Sequence, residues 1–312
     1  MSEIRNVTFK SEGTSCGAWH LPGAGNAFAG EQGRPCVVMA HGFGGTRDTG
    51  LLAYAEGFAE AGLDVLLFDY RGFGTSEGKT RQRIAFRHQR ADYHAAIAAA
   101  RQIEGVDPER IVLWGTSYSG GHILPVAVKD GRIAAILSMT PATDGAAALL
   151  AIAKHGGFGR LAPLVTNGIR DASRASVGRS PHRIQIVGEP GSLAVITAPG
   201  ALEGYLALAG PTWRNEVCAR TALEVALNRP VRFASRLDCP LFVQVGQNDT
   251  VAPPDAARRA AAKAGSNAEL VEYPVDHFDV YAGFWQRQAL ADQVGFLSRH
   301  LSRSTSEKAL QS

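Results

Sequence analysis

The stretch Gly115–Gly121 reads GTSYSGG and follows an apolar, β-branched run at Arg110–Trp114. Near-continuous apolarity of this kind predicts a strand buried on both faces, as in a parallel sheet. The residues from Ser119 to Lys129 have helical spacing, so Ser117 stands in a sharp turn between a strand and a helix. Such an elbow projects the serine hydroxyl out of the turn, which is the arrangement of a nucleophile.

Two features of this turn favour Ser117 as the nucleophile. The backbone of an elbow is crowded, so small residues are needed two positions before and after the serine, and Gly115 and Ser119 supply them. The N–H of Tyr118 begins the helix, where it can bind a developing oxyanion. A rival frame, residues 117–121, would put Ser119 at the elbow. We favour Ser117 because it follows the strand directly.

Further apolar runs and helical patterns extend this unit in both directions. Strands are predicted at Cys36–Ala40, Asp64–Phe68, Ile133–Leu137 and Pro240–Val245, and helices at Leu51–Ala61, Arg83–Ile103 and Pro254–Ala264. Alternation of strand and helix implies right-handed crossovers and a doubly wound α/β sheet. At the N-terminus, Asn6–Lys10 and Thr14–Leu21 read as a hairpin, which would add an antiparallel edge.

The strand–helix rhythm stops near Pro141 and returns at Pro240. The interval holds predicted helices at Gly145–His155 and Arg214–Ala226 and a predicted hairpin, Arg183–Val187 with Leu193–Ile196, around the turn Gly188–Gly191. We therefore predict a discontinuous core of residues 1–140 and 236–301 with a cap inserted at residues 141–235. Residues 302–312 are polar and are expected to form a frayed tail.

Composition bounds the classes of partner. The 312 residues are 45% hydrophobic, enough for a large core, and 32 Lys and Arg against 29 Asp and Glu form no basic block. Nucleic acid is therefore not expected as a partner. The chain has no apolar run of about 18 residues and no apolar leader, so we expect a cytoplasmic protein without a membrane partner. A small molecule is the expected partner, with a homodimer left open.

A serine hydroxyl needs a histidine to take its proton and a carboxylate to orient that histidine. Of nine histidines, His277 follows a late predicted strand, Glu269–Tyr273, and would lie over the carboxyl edge of the sheet. Asp249 stands just past the end of an earlier strand, as an orienting carboxylate should. The order Ser117, Asp249, His277 is the order expected for an elbow serine in an α/β sheet.

The glycine-rich loop His41–Gly45, read as HGFGG, ends the strand that begins at Cys36. Paired with an elbow, its backbone can supply a second oxyanion donor, and we assign that role to Phe43 N–H beside Tyr118 N–H. Three neighbouring residues are expected to line the pocket: His41, Gly42 and His122. The four cysteines have neither zinc-ligand nor disulfide spacing, so no zinc site and no disulfide framework are expected. Ester hydrolysis through a serine nucleophile requires no metal or cofactor, and none is expected.

Five motifs in this order resemble the α/β-hydrolase superfamily over nearly the whole chain. They are HGFGG at 41–45, DYRGFG at 69–74, GTSYSGG at 115–121, GQND at 246–249 and DHFD at 276–279. Within it the chain is similar to bacterial dienelactone-hydrolase-related esterases and to acyl transferases acting on polyketides; monoalkyl phthalate hydrolases are another similar group. The resemblance implies an eight-stranded, mostly parallel sheet with a cap after the sixth strand. Ser119 departs from the family, which usually has Gly there.

The leading functional hypothesis is hydrolysis of carboxylic esters of small to medium molecules through an acyl-enzyme on Ser117. Acyl transfer or thioester hydrolysis with the same three residues, and monoalkyl phthalate-type monoester hydrolysis, are the alternatives. From another class, a non-catalytic binder on a hydrolase scaffold stays open. The predicted cap holds ten Lys and Arg against six Asp and Glu. An arginine facing the pocket would suit a substrate that bears a carboxylate.

Overall fold

The structure is a computed structural model of the chain and describes residues 3–156, 159 and 161–301. The expected frayed tail, residues 302–312, lies outside the described residues. The strands are β1 (Arg5–Ser11), β2 (Thr14–Leu21), β3 (Arg34–Ala40), β4 (Asp64–Phe68), β5 (Val106–Thr116), β6 (Ala135–Met139), β7 (Arg183–Val187), β8 (Ala194–Ile196), β9 (Val217–Cys218), β10 (Leu241–Gly246) and β11 (Ala268–Tyr273). The α-helices are α1 (Leu52–Glu60), α2 (Phe86–Ala100), α3 (Tyr118–Asp130), α4 (Gly145–Gly156), α5 (Leu161–Ser176), α6 (Ala201–Leu208), α7 (Thr221–Val225), α8 (Pro254–Ala264) and α9 (Gly283–Leu301).

Eight strands form the central sheet, in the order β1-β2-β4-β3-β5-β6-β10-β11. From β4 to β11 every neighbouring pair is parallel, whereas β1 and β2 form an antiparallel hairpin that joins the sheet through β4. The predicted α/β fold, with its mostly parallel sheet and antiparallel edge, is confirmed. Among the described residues no helix combines the length and apolarity needed to cross a lipid bilayer.

The parallel strands are apolar throughout because both faces of the sheet are covered. In β3, Cys36, Val38 and Ala40 face one hydrophobic core, and the alternate residues Val37 and Met39 face the other. Helices α2, α3 and α8 contribute to the first core, and α1 and α9 contribute to the second. Alternate side chains of a strand point to opposite faces, so a continuous apolar run is what a doubly covered sheet requires.

Between β6 and β10 the chain leaves the central sheet, and β7, β8 and β9 form a separate three-stranded sheet. The predicted hairpin in this region is wrong, because β7 and β8 are parallel, with Gln185 opposite Ala194 and Val187 opposite Ile196. The connecting turn closes on itself, since the Ser192 N–H donates to Glu189 O at 3.0 Å. Because β8 runs parallel to β7, the chain must reverse its direction twice between the end of β7 and the start of β8.

The predicted helix at Arg214–Ala226 is also wrong over its first half. Val217 and Cys218 form β9, which pairs antiparallel with β7, and helix α7 covers only Thr221–Val225. Pairing with β7 overrides the helical spacing of this short stretch, as tertiary contacts commonly do. The boundaries of the cap, residues 141–235, remain a prediction.

Candidate active site

Ser117 stands alone between β5 and α3, in a backbone conformation that few side chains adopt. Its φ is 53° and its ψ is −117°, so the chain reverses sharply between Thr116 and Tyr118. The elbow is crowded, because a Cβ added to Gly115 would lie 2.6 Å from the carbonyl carbon and oxygen of Ser119. A glycine is therefore required at position 115, and the serine hydroxyl is carried out of the turn.

The structure brings Ser117, His277 and Asp249 together in one hydrogen-bonded relay. His277 Nε2 lies 3.1 Å from Ser117 Oγ, and His277 Nδ1 lies 2.7 Å from Asp249 Oδ2. The other carboxylate oxygen of Asp249 accepts the N–H groups of Val251 at 2.8 Å and Ala252 at 2.7 Å. With both of its oxygens held, Asp249 fixes the imidazole so that Nδ1–H donates to it and Nε2 faces the serine hydroxyl.

The rival serine faces the opposite way. Ser119 is fully buried, and its hydroxyl lies 2.9 Å from the carbonyl oxygens of Ala40 and Thr116 and accepts the Thr116 N–H. These bonds tie the elbow to the end of β3. Among the described residues, the hydrogen bonds of the Ser119 hydroxyl are therefore to the backbone of Ala40 and Thr116 and not to a histidine.

The two expected oxyanion donors flank the nucleophile. Tyr118 is the first residue of α3, so its N–H has no acceptor within the helix. On the other side, a Cβ added to Gly42 would lie 3.1 Å from Ser117 Cβ, which shows how closely the loop His41–Gly45, the oxyanion loop, approaches. The Phe43 ring packs edge-on against the Tyr118 ring, with centroids 5.4 Å apart. The backbone of Gly42 therefore lies close to Ser117, and the assignment of the Phe43 and Tyr118 N–H groups as oxyanion donors remains a prediction.

A cavity, the chamber, opens onto Ser117. Its walls are His41, Gly42, Phe43, Gly45, Thr49, Leu51, Thr116, Ser117, Ile196, Tyr205, Leu208, Val251, His277, Phe278 and Tyr281. In the described part of the chain these walls contain no Arg, Lys, Asp or Glu, so the hypothesis of an arginine that faces the substrate finds no support in the chamber. Apart from the two histidines, the polar side chains in its walls are hydroxyls. The chamber suits an uncharged, largely apolar group.

The expected pocket residues divide into two groups. His41 and Gly42 line the chamber as predicted from the sequence, and burial lowers the pKa of His41, which keeps it neutral. His122 does not line it, and that expectation is wrong. Its ring lies under Tyr118, with centroids 4.5 Å apart, and its Nε2 is 3.0 Å from Gln89 Oε1. One turn into α3, a side chain already faces the core rather than the substrate.

The sequence did not predict several of the residues that line the chamber. Ile196, Tyr205 and Leu208 come from the region between β6 and β10, where no motif marks a site. Phe278 and Tyr281 follow His277 in the loop before α9, and that proximity was the available signal. Within the residues that the structure describes, no group of three or more His, Cys, Asp and Glu side chains could hold a metal ion.

Sequence comparison gives a family and named relatives. Residues 31–189 match the hydrolase family described as "Serine aminopeptidase, S33". The chain is similar to the quorum-quenching protein AidA of Acinetobacter baumannii, with 37% identity over 94% of each chain. It is also similar to the thiohydrolase aneE of Aspergillus aculeatus, with 42% identity over 38% of this chain and 37% of that protein. The polyketide transferase grgF of a Penicillium species is 30% identical over 53% of each.

Solved structures share the fold. The α/β hydrolase GrgF from Penicillium has a TM-score of 0.79 and 24% identity, over 96% of this chain and 99% of that chain. DcsB, solved in complex with its substrate analogue, has a TM-score of 0.82 and 20% identity, over 96% of this chain and 100% of that chain. At these identities the likeness concerns the fold alone, and it agrees with the resemblance to α/β hydrolases inferred from the five motifs.

Proposed function

The chain belongs to the serine hydrolase family described as serine aminopeptidase, and from that membership we propose that it hydrolyses neutral carboxylic esters through an acyl-enzyme on Ser117. The observation that carries the proposal is the relay of Ser117, His277 and Asp249 opening into an uncharged chamber. Moving an ionised group from water into such a chamber without a partner is unfavourable, so a neutral ester is the favoured substrate.

In the proposed mechanism, His277 Nε2 takes the hydroxyl proton as Ser117 Oγ attacks the carbonyl carbon of the ester. The negative charge that develops on the carbonyl oxygen is stabilised by the N–H groups of Phe43 and Tyr118. His277 then donates its proton to the departing alcohol, leaving the acyl group on Ser117. His277 then takes a proton from a water molecule, which attacks the acyl carbon; as the bond to Ser117 Oγ breaks, His277 returns the proton to Oγ and the acid is released. Asp249 stabilises the imidazolium that forms in each half-reaction.

The chamber also favours an ester over an aminopeptidase substrate. A peptidase that recognises a free N-terminus must hold its ammonium group, and a carboxylate is the usual partner of a buried ammonium. The chamber walls contain no Asp or Glu, so an α-ammonium group would be desolvated there without compensation. The family description alone therefore does not extend to this chain's substrate.

Acyl transfer, including reaction of a thioester, is the second candidate. Two of the relatives are named a thiohydrolase and a polyketide transferase. In addition, Ser117 is only 8% exposed and His277 only 3% exposed, so few water molecules reach the acyl-enzyme. A site that limits water favours transfer to a bound acceptor over hydrolysis. Both reactions share the same acyl-enzyme and differ in the molecule that removes the acyl group.

The first test is labelling with a fluorophosphonate probe, which reacts with an activated serine. We expect the wild-type protein to be labelled and Ser117→Ala to be unlabelled, with hydrolysis of p-nitrophenyl esters falling by about 10⁴-fold or more. An unlabelled wild-type protein would instead favour a non-catalytic binder. Labelling of the Ser117→Ala variant would show that another residue is the nucleophile.

The second test concerns substrate charge and acceptor. We expect diethyl phthalate to be cleaved faster than monoethyl phthalate, which has the same leaving alcohol, because the carboxylate of the monoester would be buried in an uncharged chamber. Equal rates on neutral and acidic esters would contradict the substrate class. Product analysis with an added alcohol, amine or thiol then separates transfer from hydrolysis, and an unchanged yield of free acid would argue against transfer.

A further inference from the structure

The oxyanion loop is held by hydrogen bonds to three consecutive carbonyl groups. Tyr205 Oη donates to Phe43 O at 2.7 Å, and Trp213 Nε1 donates to Gly44 O at 3.1 Å. The preceding carbonyl, that of Gly42, lies 3.0 Å from His41 Nδ1. Two of the three donor side chains come from the region between β6 and β10, outside the central sheet. Contacts from that region therefore reach the backbone that carries an oxyanion donor.

Tyr205 is placed between the two loops of the site. It is buried, it stacks on Trp213 with centroids 5.1 Å apart, and it packs against Phe278 with centroids 5.9 Å apart. The approach of α6 to the histidine side is close, since a Cβ added to Gly204 would lie 2.6 Å from the Phe278 ring. The residue after His277 and the carbonyl of Phe43 are therefore both in contact with Tyr205.

Hydrogen bonds between Thr212 and Asp48 add to the contacts that Tyr205 and Trp213 make with the oxyanion loop. The Thr212 N–H and hydroxyl both donate to the Asp48 carboxylate at 3.0 Å. Gly210 packs directly on the same residue, because a Cβ there would lie 2.3 Å from Asp48 O. The segment from Tyr205 to Trp213 thus contacts the oxyanion loop and the residues that follow it at several points.

The loop needs such support because its own sequence specifies it weakly. Gly42, Gly44 and Gly45 leave its backbone free in the unfolded chain, and Gly44 adopts a φ of +69°. A donor that stabilises a transition state must already point at the site where charge develops, since reorientation during the reaction would cost free energy. External hydrogen bonds to the loop carbonyls supply that constraint.

We propose that Tyr205 and Trp213 are positioning residues, which hold the oxyanion loop so that the Phe43 N–H points at the carbonyl oxygen of the bound ester. The inference rests on the proposed function and extends it: the cap contributes to the rate of the chemical step, besides shaping the chamber. Neither side chain reacts. Each acts through a backbone carbonyl of the loop.

The test uses Tyr205→Phe, which removes one donor and keeps the ring, and Trp213→Phe, which removes the other donor and replaces the indole by a smaller aromatic ring. We expect kcat on p-nitrophenyl butyrate to fall about tenfold for each, with KM within about twofold, because the missing bond matters most when the oxyanion forms. Affinity for phenylboronic acid, whose tetrahedral adduct places an oxygen in the oxyanion hole, should fall by the same factor as kcat.

Tyr54→Phe is the matched control. Tyr54 Oη also donates to a backbone carbonyl at 2.7 Å, that of Val280, and Tyr54 is buried as well, but this hydrogen bond does not involve the oxyanion loop. We expect Tyr54→Phe and Tyr205→Phe to lower the melting temperature by similar amounts, and only Tyr205→Phe to weaken boronate binding. Equal loss of kcat in both variants would reduce Tyr205 to a packing role and overturn the inference.

The inference and the proposed function fail in distinguishable ways. A wild-type protein that neither reacts with a fluorophosphonate nor hydrolyses an ester overturns the proposed function, and the inference with it. A reactive wild-type protein whose Tyr205→Phe and Trp213→Phe variants keep wild-type kcat and boronate affinity overturns the inference alone. Parallel losses of kcat and boronate affinity, with unchanged KM, support it.

Discussion

Ser117 keeps its strained backbone because its N–H and its carbonyl are both hydrogen-bonded to residues at the end of β6 and just after it. Its N–H donates to Met139 O at 2.9 Å, and its carbonyl accepts the Ala142 N–H at 2.8 Å. A non-glycine residue at positive φ costs about 1–3 kcal/mol and persists only where the surroundings hold it. The end of β6 and the residues after it supply that hold, so the hydroxyl stays aimed at His277.

Ser119→Ala tests the division of labour between the two serines. The variant keeps Ser117 and His277 in place but leaves the buried Thr116 N–H without its acceptor, so we expect the free energy of unfolding to fall by about 1–3 kcal/mol. Because the relay is untouched, kcat should change little. Urea unfolding and ester kinetics on the same preparation measure both quantities. A variant of normal stability that has lost its activity would transfer the nucleophile's role to Ser119.

The sequence predicted correctly those site residues whose positions follow from where they stand after a strand. Ser117, Asp249 and His277 each follow a strand, and parallel strands end at one edge, so their meeting was predictable. His122 was misplaced because the expectation rested on nearness along the chain. One helical turn rotated its side chain under Tyr118 and toward Gln89.

Helix α6 supports the oxyanion loop through Tyr205 and lines the chamber with both Tyr205 and Leu208. Leu208 lines the chamber, whereas Leu206, two positions earlier, is 51% exposed. Residues two apart on a helix lie on different faces, so the helix separates the two environments sharply. The pair offers a substitution inside the chamber and its control outside.

Leu208→Trp should shorten the ester chain that the chamber accepts. The larger side chain occupies space beside Ser117, so we expect the ratio of kcat/KM for p-nitrophenyl octanoate over acetate to fall by about tenfold or more. Leu206→Trp, on the exposed face of the same helix, should leave that ratio unchanged. An equal ratio in wild type and Leu208→Trp would mean that the chain lies elsewhere.

Strands were predictable from the sequence where the apolar pattern is compatible with only one kind of burial. The runs at β3, β4 and β10 are apolar on both faces, and a doubly covered parallel sheet is what satisfies them. The region between β6 and β10 was not predictable to the same degree. There β7, β8 and β9 are short, and their pairing depends on contacts distant in sequence, as in the match of Ile184 with Val217.

The whole fold should lose stability in mild acid through histidines that are buried uncharged. Burial, and secondarily the positive charge of Arg90, lowers the pKa of His122 well below 6.5; burial also lowers that of His41. The unfolded chain then binds more protons than the folded one as pH falls below about 6.5. The free energy of unfolding therefore decreases toward lower pH, by up to about 1.4 kcal/mol per pH unit for each histidine.

Substitution of His122 separates its share of this effect. Between pH 7 and about pH 5, His122→Asn should lose less unfolding free energy than wild type, by about 1–2 kcal/mol, since one buried group no longer takes up a proton on unfolding. Urea unfolding at a series of pH values measures it, and superimposable wild-type and His122→Asn profiles would refute this assignment.

The hydrogen bonds from Tyr205 and Trp213 to the oxyanion loop limit which parts of this chain can be exchanged in a chimeric hydrolase. Gly44 also packs so tightly on Ile186 that a Cβ there would lie 2.6 Å from the isoleucine side chain. A chimera in which the predicted cap, residues 141–235, is replaced by a foreign segment would lose both donors and that fit at once. We expect such a replacement to preserve activity only when residues 41–50 are exchanged together with the predicted cap, because the two segments depend on each other although they are distant in sequence.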